Sequence, residues 1–129
     1  MKKLMIVDDA RLMRNIIKRV LASESDIEIL EAGDGAEAIE MYKEHQPDVV
    51  TMDITMDHMD GVEATRAIKA YDPSANIIMI SSLGQELLLK ECIEAGVTDY
   101  IMKPFTEERV RSAVLKAANS VNIGVYRPI

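Results

Sequence analysis

The stretch Val49-Val50-Thr51-Met52-Asp53-Ile54-Thr55-Met56-Asp57-His58-Met59-Asp60-Gly61 decides the fold of this chain. Val49, Val50 and Met52 form a short apolar run that reads as a buried strand. The run ends in Asp53, an acid placed where the strand meets solvent. A tight acidic loop follows, and Gly61 stands where a helix can start. In open α/β sheets, ligands bind in the crevice beyond the carboxyl ends of the strands. Asp53 is therefore the first candidate for chemistry, as a nucleophile in phosphoryl transfer.

The same grammar repeats on either side. Lys3 to Val7 is a continuous apolar run that stops at Asp8-Asp9, the mark of a central parallel strand. Met13, Ile16, Ile17, Val20 and Leu21 then recur at helical spacing, with Arg11, Arg14, Lys18 and Arg19 on the other side. Ile27 to Ala32 has less apolar content and reads as an edge strand. Gly33-Asp34-Gly35 is a turn, and Ala36 to Glu44 is helical until Pro47 forbids more. Val62 to Ala70 reads as a third helix, Asn76 to Ser81 as a fourth strand, Glu86 to Ala95 as a fourth helix with Gly96 past its end, and Thr98 to Lys103 as a fifth strand. Val110, Ala113, Val114, Ala117, Ala118 and Val121 give the last helix the cleanest period in the chain, with Gly124 expected to end it. Strict strand–helix alternation without hairpin signals predicts a doubly wound, five-stranded parallel α/β sheet with helices on both faces. The predicted domain covers residues 1–122, with 123–129 a C-terminal tail.

Composition removes several classes of function. A chain of 129 residues that is 48% hydrophobic holds one domain with a real core. The net charge of −7 disfavours nonspecific nucleic-acid or membrane binding, and 4% aromatics without Trp argues against base stacking. Cys92 is the sole cysteine, so no intrachain disulfide can form. No apolar run is long enough to span a bilayer. A cytoplasmic protein is expected.

The strand ends carry the chemistry. The first strand delivers Asp8 and Asp9, the third Asp53, the fourth Ser81 and the fifth Lys103. Carboxylates in one crevice repel: at an effective dielectric near 20, a pair about 4 Å apart costs roughly 4 kcal/mol. A hard divalent ion resolves this, and Mg²⁺ takes oxygen ligands and commonly adds a phosphate oxygen. Lys103 and the Ser81 hydroxyl supply the positive charge and donor that a phosphoryl group still needs. A lone Asp at a strand end is ordinarily a turn former or a helix cap, and Asp8 or Asp9 could cap the first helix. The set together, each member at a strand end, argues for a site.

These segments resemble a bacterial two-component response-regulator receiver domain of the single-domain chemotaxis type, over roughly residues 2–120. Val7-Asp8-Asp9 resembles the acidic pair of the first strand, and Met52-Asp53-Ile54-Thr55-Met56 the phosphoacceptor segment. Met59-Asp60-Gly61, Ser81-Ser82-Leu83-Gly84 and Tyr100-Ile101-Met102-Lys103-Pro104-Phe105 resemble the segments that follow. The resemblance implies a flavodoxin-like fold with strand order 2-1-3-4-5, the order known for chemotaxis regulators of this family. It implies that Asp53 accepts phosphate from a histidine kinase. Asp9, Asp53 and the Thr55 backbone carbonyl would hold Mg²⁺, with Asp8 acting mainly through a metal-bound water. Ser81 and Lys103 would bind phosphoryl oxygens. Ser81 and Tyr100 would be the switch pair, Tyr100 moving inward as Ser81 is drawn to the phosphate, and Lys103-Pro104 a candidate cis bond. The fourth helix, fifth strand and last helix would meet a downstream protein, with Leu87, Lys90 and Tyr100 on that surface. The protein would be a monomer, or a weak dimer on phosphorylation. It would be no enzyme beyond its own phosphorylation and dephosphorylation. One departure is Asp57, where many members of the family carry proline. Thr55 and Leu83 occupy positions that tune hydrolysis in the family, and neither is an acid or base.

Other signals carry less. Gly33-Asp34-Gly35-Ala36-Glu37-Ala38 matches a dinucleotide-binding pattern but places an acid toward a pyrophosphate. His45 and His58 are too isolated for a metal site and are expected to be exposed. Cys92 reads as a packed thiol and the nine methionines as core filler. Leu87-Leu88-Leu89 cannot all face one core, so at least one should be exposed. The Arg14–Lys18 side of the first helix reads as a solvated face, with contact to an acidic kinase surface as the alternative. With no further domain after the receiver, the expected output is protein binding. The rivals are a phosphorelay carrier, the receiver of a longer regulator, and, from another class, a Mg²⁺-dependent aspartyl phosphatase. The last expects an acid where Thr55 stands.

Overall fold

The computed structural model describes residues 1–56, 58–82 and 86–119. The strands are β1 (Lys2–Val7), β2 (Ile27–Ala32), β3 (Val49–Asp53), β4 (Ile77–Ser81) and β5 (Asp99–Met102). The helices are α1 (Arg11–Val20), α2 (Gly35–His45), α3 (Gly61–Tyr71), α4 (Leu89–Ala95) and α5 (Glu107–Ala118). All four strand pairings are parallel, in the order β2-β1-β3-β4-β5. This is the doubly wound, flavodoxin-like sheet that the alternation and the resemblance predict. β2 is an edge strand, in keeping with its lower apolar content, and β5 is the other.

Successive side chains of a strand point to opposite faces, and each face of this sheet has its own core. Leu4, Ile6, Val49, Ile78, Ile80 and Ile101 pack with α1 and α5 through Ile17, Val20, Val110 and Val114. Met5, Val7, Val50, Met52, Ile77 and Met79 pack with α2, α3 and α4 through Tyr42, Ile68 and Cys92. The strands are apolar on both faces because both are covered. Burying side chains of this size is worth about 1.5–3 kcal/mol each, which fixes register and brings the strand ends level.

Helix ends follow local chemistry. Asp34 caps α2 by accepting from the Glu37 amide at 2.8 Å, while Glu37 Oε1 accepts from the Gly33 amide. The glycine-rich turn that mimics a dinucleotide motif is thus a helix cap, closed from both sides by Asp34 and Glu37. Gly96, at φ +94°, ends α4 in the left-handed region that glycine tolerates. The fourth helix is shorter than expected: Glu86–Leu88 forms a 3₁₀ turn before α4 begins. Leu87 is 92% exposed, whereas Leu88 and Leu89 pack partly against the core. Gly124 and the tail lie outside the described residues. Among the described residues no helix is long and apolar enough to cross a membrane.

Candidate active site

β3 delivers Asp53 to the carboxyl end of the sheet, where it is buried, and β1 delivers Asp8, buried beside it. Asp9, next along, is exposed. One carboxylate oxygen from each of Asp8, Asp9 and Asp53 lies within 4.8 Å of the others. Lys103, just past β5, places Nζ 3.2 Å from Asp53 Oδ1 and 3.9 Å from Asp8 Oδ2. The Lys103 amide donates to the Ser81 carbonyl at 2.7 Å, which carries β4–β5 pairing up to the site. The Lys103–Pro104 peptide is cis, in line with the resemblance.

Burial is the main force on these acids. It raises Asp8 above the ordinary carboxylate value, against the Ala10 amide and Lys103, which favour its charge. Burial, then the Asp8 charge, pushes Asp53 up to about 6, although Lys103 pulls the other way. A single ammonium therefore does not offset the desolvated acids. The convergent donors are all oxygen, without His or Cys, which suits a hard cation such as Mg²⁺.

The backbone around Asp53 is held on several sides. The Gly61 amide donates to the Ile54 carbonyl at 2.7 Å, and the Ile54 amide to the Ile80 carbonyl at 3.2 Å. A Cβ at position 61 would stand 2.2 Å from the Asp53 carbonyl oxygen, so only glycine fits. Asp60 caps α3 by accepting from the Glu63 amide at 2.9 Å. The acids of this stretch thus have separate tasks, Asp53 in the site and Asp60 at a helix end. Asp57 lies outside the described residues.

Behind Lys103, Ser81 is fully buried, with its hydroxyl 2.8 Å from the Tyr100 hydroxyl. Tyr100 is itself turned inward, 8% exposed. Of the residues expected on the partner surface, Leu87 and Lys90 are exposed and Tyr100 is buried in this structure. Thr55 is exposed at the loop after β3. Leu83 and Gly84 lie outside the described residues. A cleft of about 450 Å³ flanks the site, lined by Met13, Ile16, Ser82, Lys103, Pro104 and Phe105.

Several local readings change. Neither Asp8 nor Asp9 caps α1: the capping position is Ala10, with no side-chain bond, while Asp8 Oδ1 accepts from the Ala10 amide at 2.9 Å. Arg14 and Lys18 are not simply solvated. Both pair with Glu31 of β2 at 2.9 Å, and Arg14 also donates to the Asp8 carbonyl. Arg14 thus helps place Asp8, a role that the pairing with Glu31 on another element sets and that left no local signal. His58 is exposed, but His45 is half-buried. Cys92 is fully buried, and burial raises its thiol to about 11, as suits a packed and unreactive cysteine.

Comparison with known proteins agrees with this geometry. The family model described as "Response regulator receiver domain" matches residues 4–115. "Chemotaxis protein CheY" of Bacillus subtilis is 48% identical over 91% of this chain and 98% of its own length. The protein of that name from Listeria monocytogenes is 50% identical over 92% of this chain and 99% of its own. A chain of the CheX-CheY-BeF3-Mg+2 complex from Borrelia burgdorferi superposes with TM-score 0.80 at 36% identity, covering 89% of this chain and 87% of that one. A response regulator receiver domain from Clostridium thermocellum gives TM-score 0.85 at 26% identity, over 92% and 95%. The ordered acids, hydroxyl and lysine, the sheet that aligns them and these similarities have one reading: the chain belongs to the response regulator receiver domain family.

Proposed function

We propose that this receiver is a phosphorylation-activated signalling switch in which Asp53 accepts a phosphoryl group from a histidine kinase and the protein's affinity for a partner changes in response. The observation that carries this reading is the setting of Asp53, buried at a strand end beside Asp8 and the Lys103 ammonium. A carboxylate oxygen of Asp53 attacks phosphorus, the bond to the donor breaks, and an acyl phosphate forms on Asp53. Lys103 holds negative charge on the transferring group, and the Ser81 hydroxyl donates to one of its oxygens. Asp8, Asp9, Asp53 and the Thr55 carbonyl would hold Mg²⁺. When bound, Mg²⁺ supplies charge neutralisation for the acids and the phosphoryl oxygens. The Borrelia complex, in which a CheY is accompanied by Mg+2 and BeF3, supports this assignment.

Ser81 and Tyr100 carry the signal outward. Drawing the Ser81 hydroxyl toward a phosphoryl group changes the environment of the tyrosine it now bonds. The face of α4, β5 and α5, with exposed Leu87 and Lys90, is the surface this would alter for a downstream protein. The likeness to relatives named "Chemotaxis protein CheY" over nearly their whole length supports a switch of the chemotaxis type.

The test is intact mass after incubation with Mg²⁺ and a small acyl-phosphate donor, beside the Asp53→Asn variant. One added phosphoryl group is expected in the wild type with Mg²⁺, and none in the variant or without the ion. Labelling that survives Asp53→Asn would move the acceptor elsewhere. Sustained turnover of an external phosphomonoester would favour an aspartyl phosphatase instead.

A further inference from the structure

The structure assigns Asp99 and Arg109 as a positioning pair that holds Tyr100 against Ser81, an inference that rests on reading Ser81 and Tyr100 as the switch. β5 is an edge strand with β4 on one side only. An edge leaves backbone amides and carbonyls without a neighbouring strand. At Tyr100 these groups are taken by side chains. The Tyr100 amide donates to Asp99 Oδ1 at 2.8 Å, and the Tyr100 carbonyl accepts from Arg109 Nη2 at 3.1 Å. The guanidinium is also bidentate on Asp99, with Nη1 to Oδ2 and Nη2 to Oδ1 both at 3.0 Å. These bonds close a ring through the two backbone polar groups of one residue.

That residue reaches the site with its other end. The Tyr100 hydroxyl lies 2.8 Å from the fully buried Ser81 hydroxyl. A tyrosine ring swings about the Cα–Cβ bond, whose direction the backbone sets. Gripping both the amide and the carbonyl therefore fixes the axis of the swing. α5 fixes the grip in turn: Thr106 caps the helix by accepting from the Arg109 amide at 3.1 Å. An exposed ion pair by itself is worth little, and this one differs because its members hold a backbone. The pair is also within reach of a partner, since the Arg109 side chain is 44% exposed and that of Asp99 24%. An acidic group that competed for Arg109 would loosen the tyrosine from outside.

Lysine cannot replace arginine here, because three of these bonds need a planar fork with several donors. Arg109→Lys keeps the charge and removes the grip, and Asp99→Asn weakens it from the other side. The measurement is ¹⁹F NMR of the full chain carrying 3-fluorotyrosine, with the Tyr100 signal assigned by Tyr100→Phe. Spectra are taken without and with Mg²⁺ and beryllofluoride, a phosphoryl mimic. In Arg109→Lys without the mimic, the ratio of buried to exposed Tyr100 ring should fall about tenfold, the worth of one charge-assisted hydrogen bond. Asp99→Asn should shift it the same way, and the melting temperature should change little. Unchanged Tyr100 populations in both variants, with or without a loss of melting temperature, would reduce the pair to a surface salt bridge and overturn the assignment. A wild-type signal that ignores the mimic while the variants shift would keep the positioning pair and overturn the switch reading beneath it.

Discussion

At the carboxyl end of the sheet, Asp8 and Asp53 are buried with one lysine beside them, and burial raises both above the ordinary carboxylate value. At the amino end, Asp72 accepts from the Tyr42 hydroxyl at 2.7 Å and from the Ser74 hydroxyl at 2.8 Å, and its carboxyl is held below that value, by Tyr42 first. Asp48 accepts from the Lys3 amide at 2.7 Å, and Lys69 donates to the Pro73 and Ala75 carbonyls. The same side chain is uncompensated at one end and satisfied at the other. Departures from local consistency concentrate where a protein functions. One end is an anchor, and the other keeps buried carboxylates that its single lysine does not offset.

The largest expected effect would break the contrast at the charged end. Asp53→Asn should abolish phosphoryl labelling while holding or raising the melting temperature, because it removes a buried like charge. Intact mass and a thermal melt report the two halves, and a clear loss of stability would show that the cluster is an anchor after all. Gly61→Ala comes next. Its Cβ would run into the Asp53 carbonyl, so overpacking should cost about 3 kcal/mol in urea unfolding. A neutral result would mean that α3 can retreat from the site without penalty.

At the amino end, Tyr42→Phe should cost about 1 kcal/mol of stability, the net worth of a hydrogen bond, and leave labelling unchanged. The pH dependence of that cost sharpens the comparison. The Asp72 carboxyl is depressed in the folded state, so its contribution is present above the ordinary value of 3.8 and is lost as pH falls through the folded value. Burial, then Asp72, raises the Tyr42 phenol, so its contribution is present below its ordinary value of 10.0 and is lost as pH rises beyond it. The stability difference between wild type and Tyr42→Phe should therefore be greatest between these limits and shrink on either side. A difference that is flat across acid pH would detach Asp72 from the interaction.

The elements that position the site were legible because each apolar run stops at its chemistry: Val7 before Asp8, Met52 before Asp53, Ile80 before Ser81, Met102 before Lys103. Strand order was not legible in the residues themselves and came from the resemblance. The fourth α-helix begins later than its pattern suggests, since three consecutive leucines give no period to separate a 3₁₀ turn from an α-helix. Nonlocal pairings were invisible for a simpler reason. Arg14 and Lys18 meet Glu31 only because α1 lies beside β2, and Arg109 reaches Asp99 only because α5 turns back along β5. A charged residue on a helix reads as solvated until its neighbour is known.

The parallel sheet has one more consequence. Parallel strands cannot be joined by tight hairpins, so every strand after β1 arrives by a crossover. Asp53 and Lys103 are 50 residues apart in the chain and 3.2 Å apart in space. The site therefore exists only after nearly the whole chain has been threaded. A nascent or truncated chain that stops before β5 lacks Lys103 and cannot complete the constellation. On the proposed reading, a chain that lacks β5 would lack Lys103 and should not be labelled.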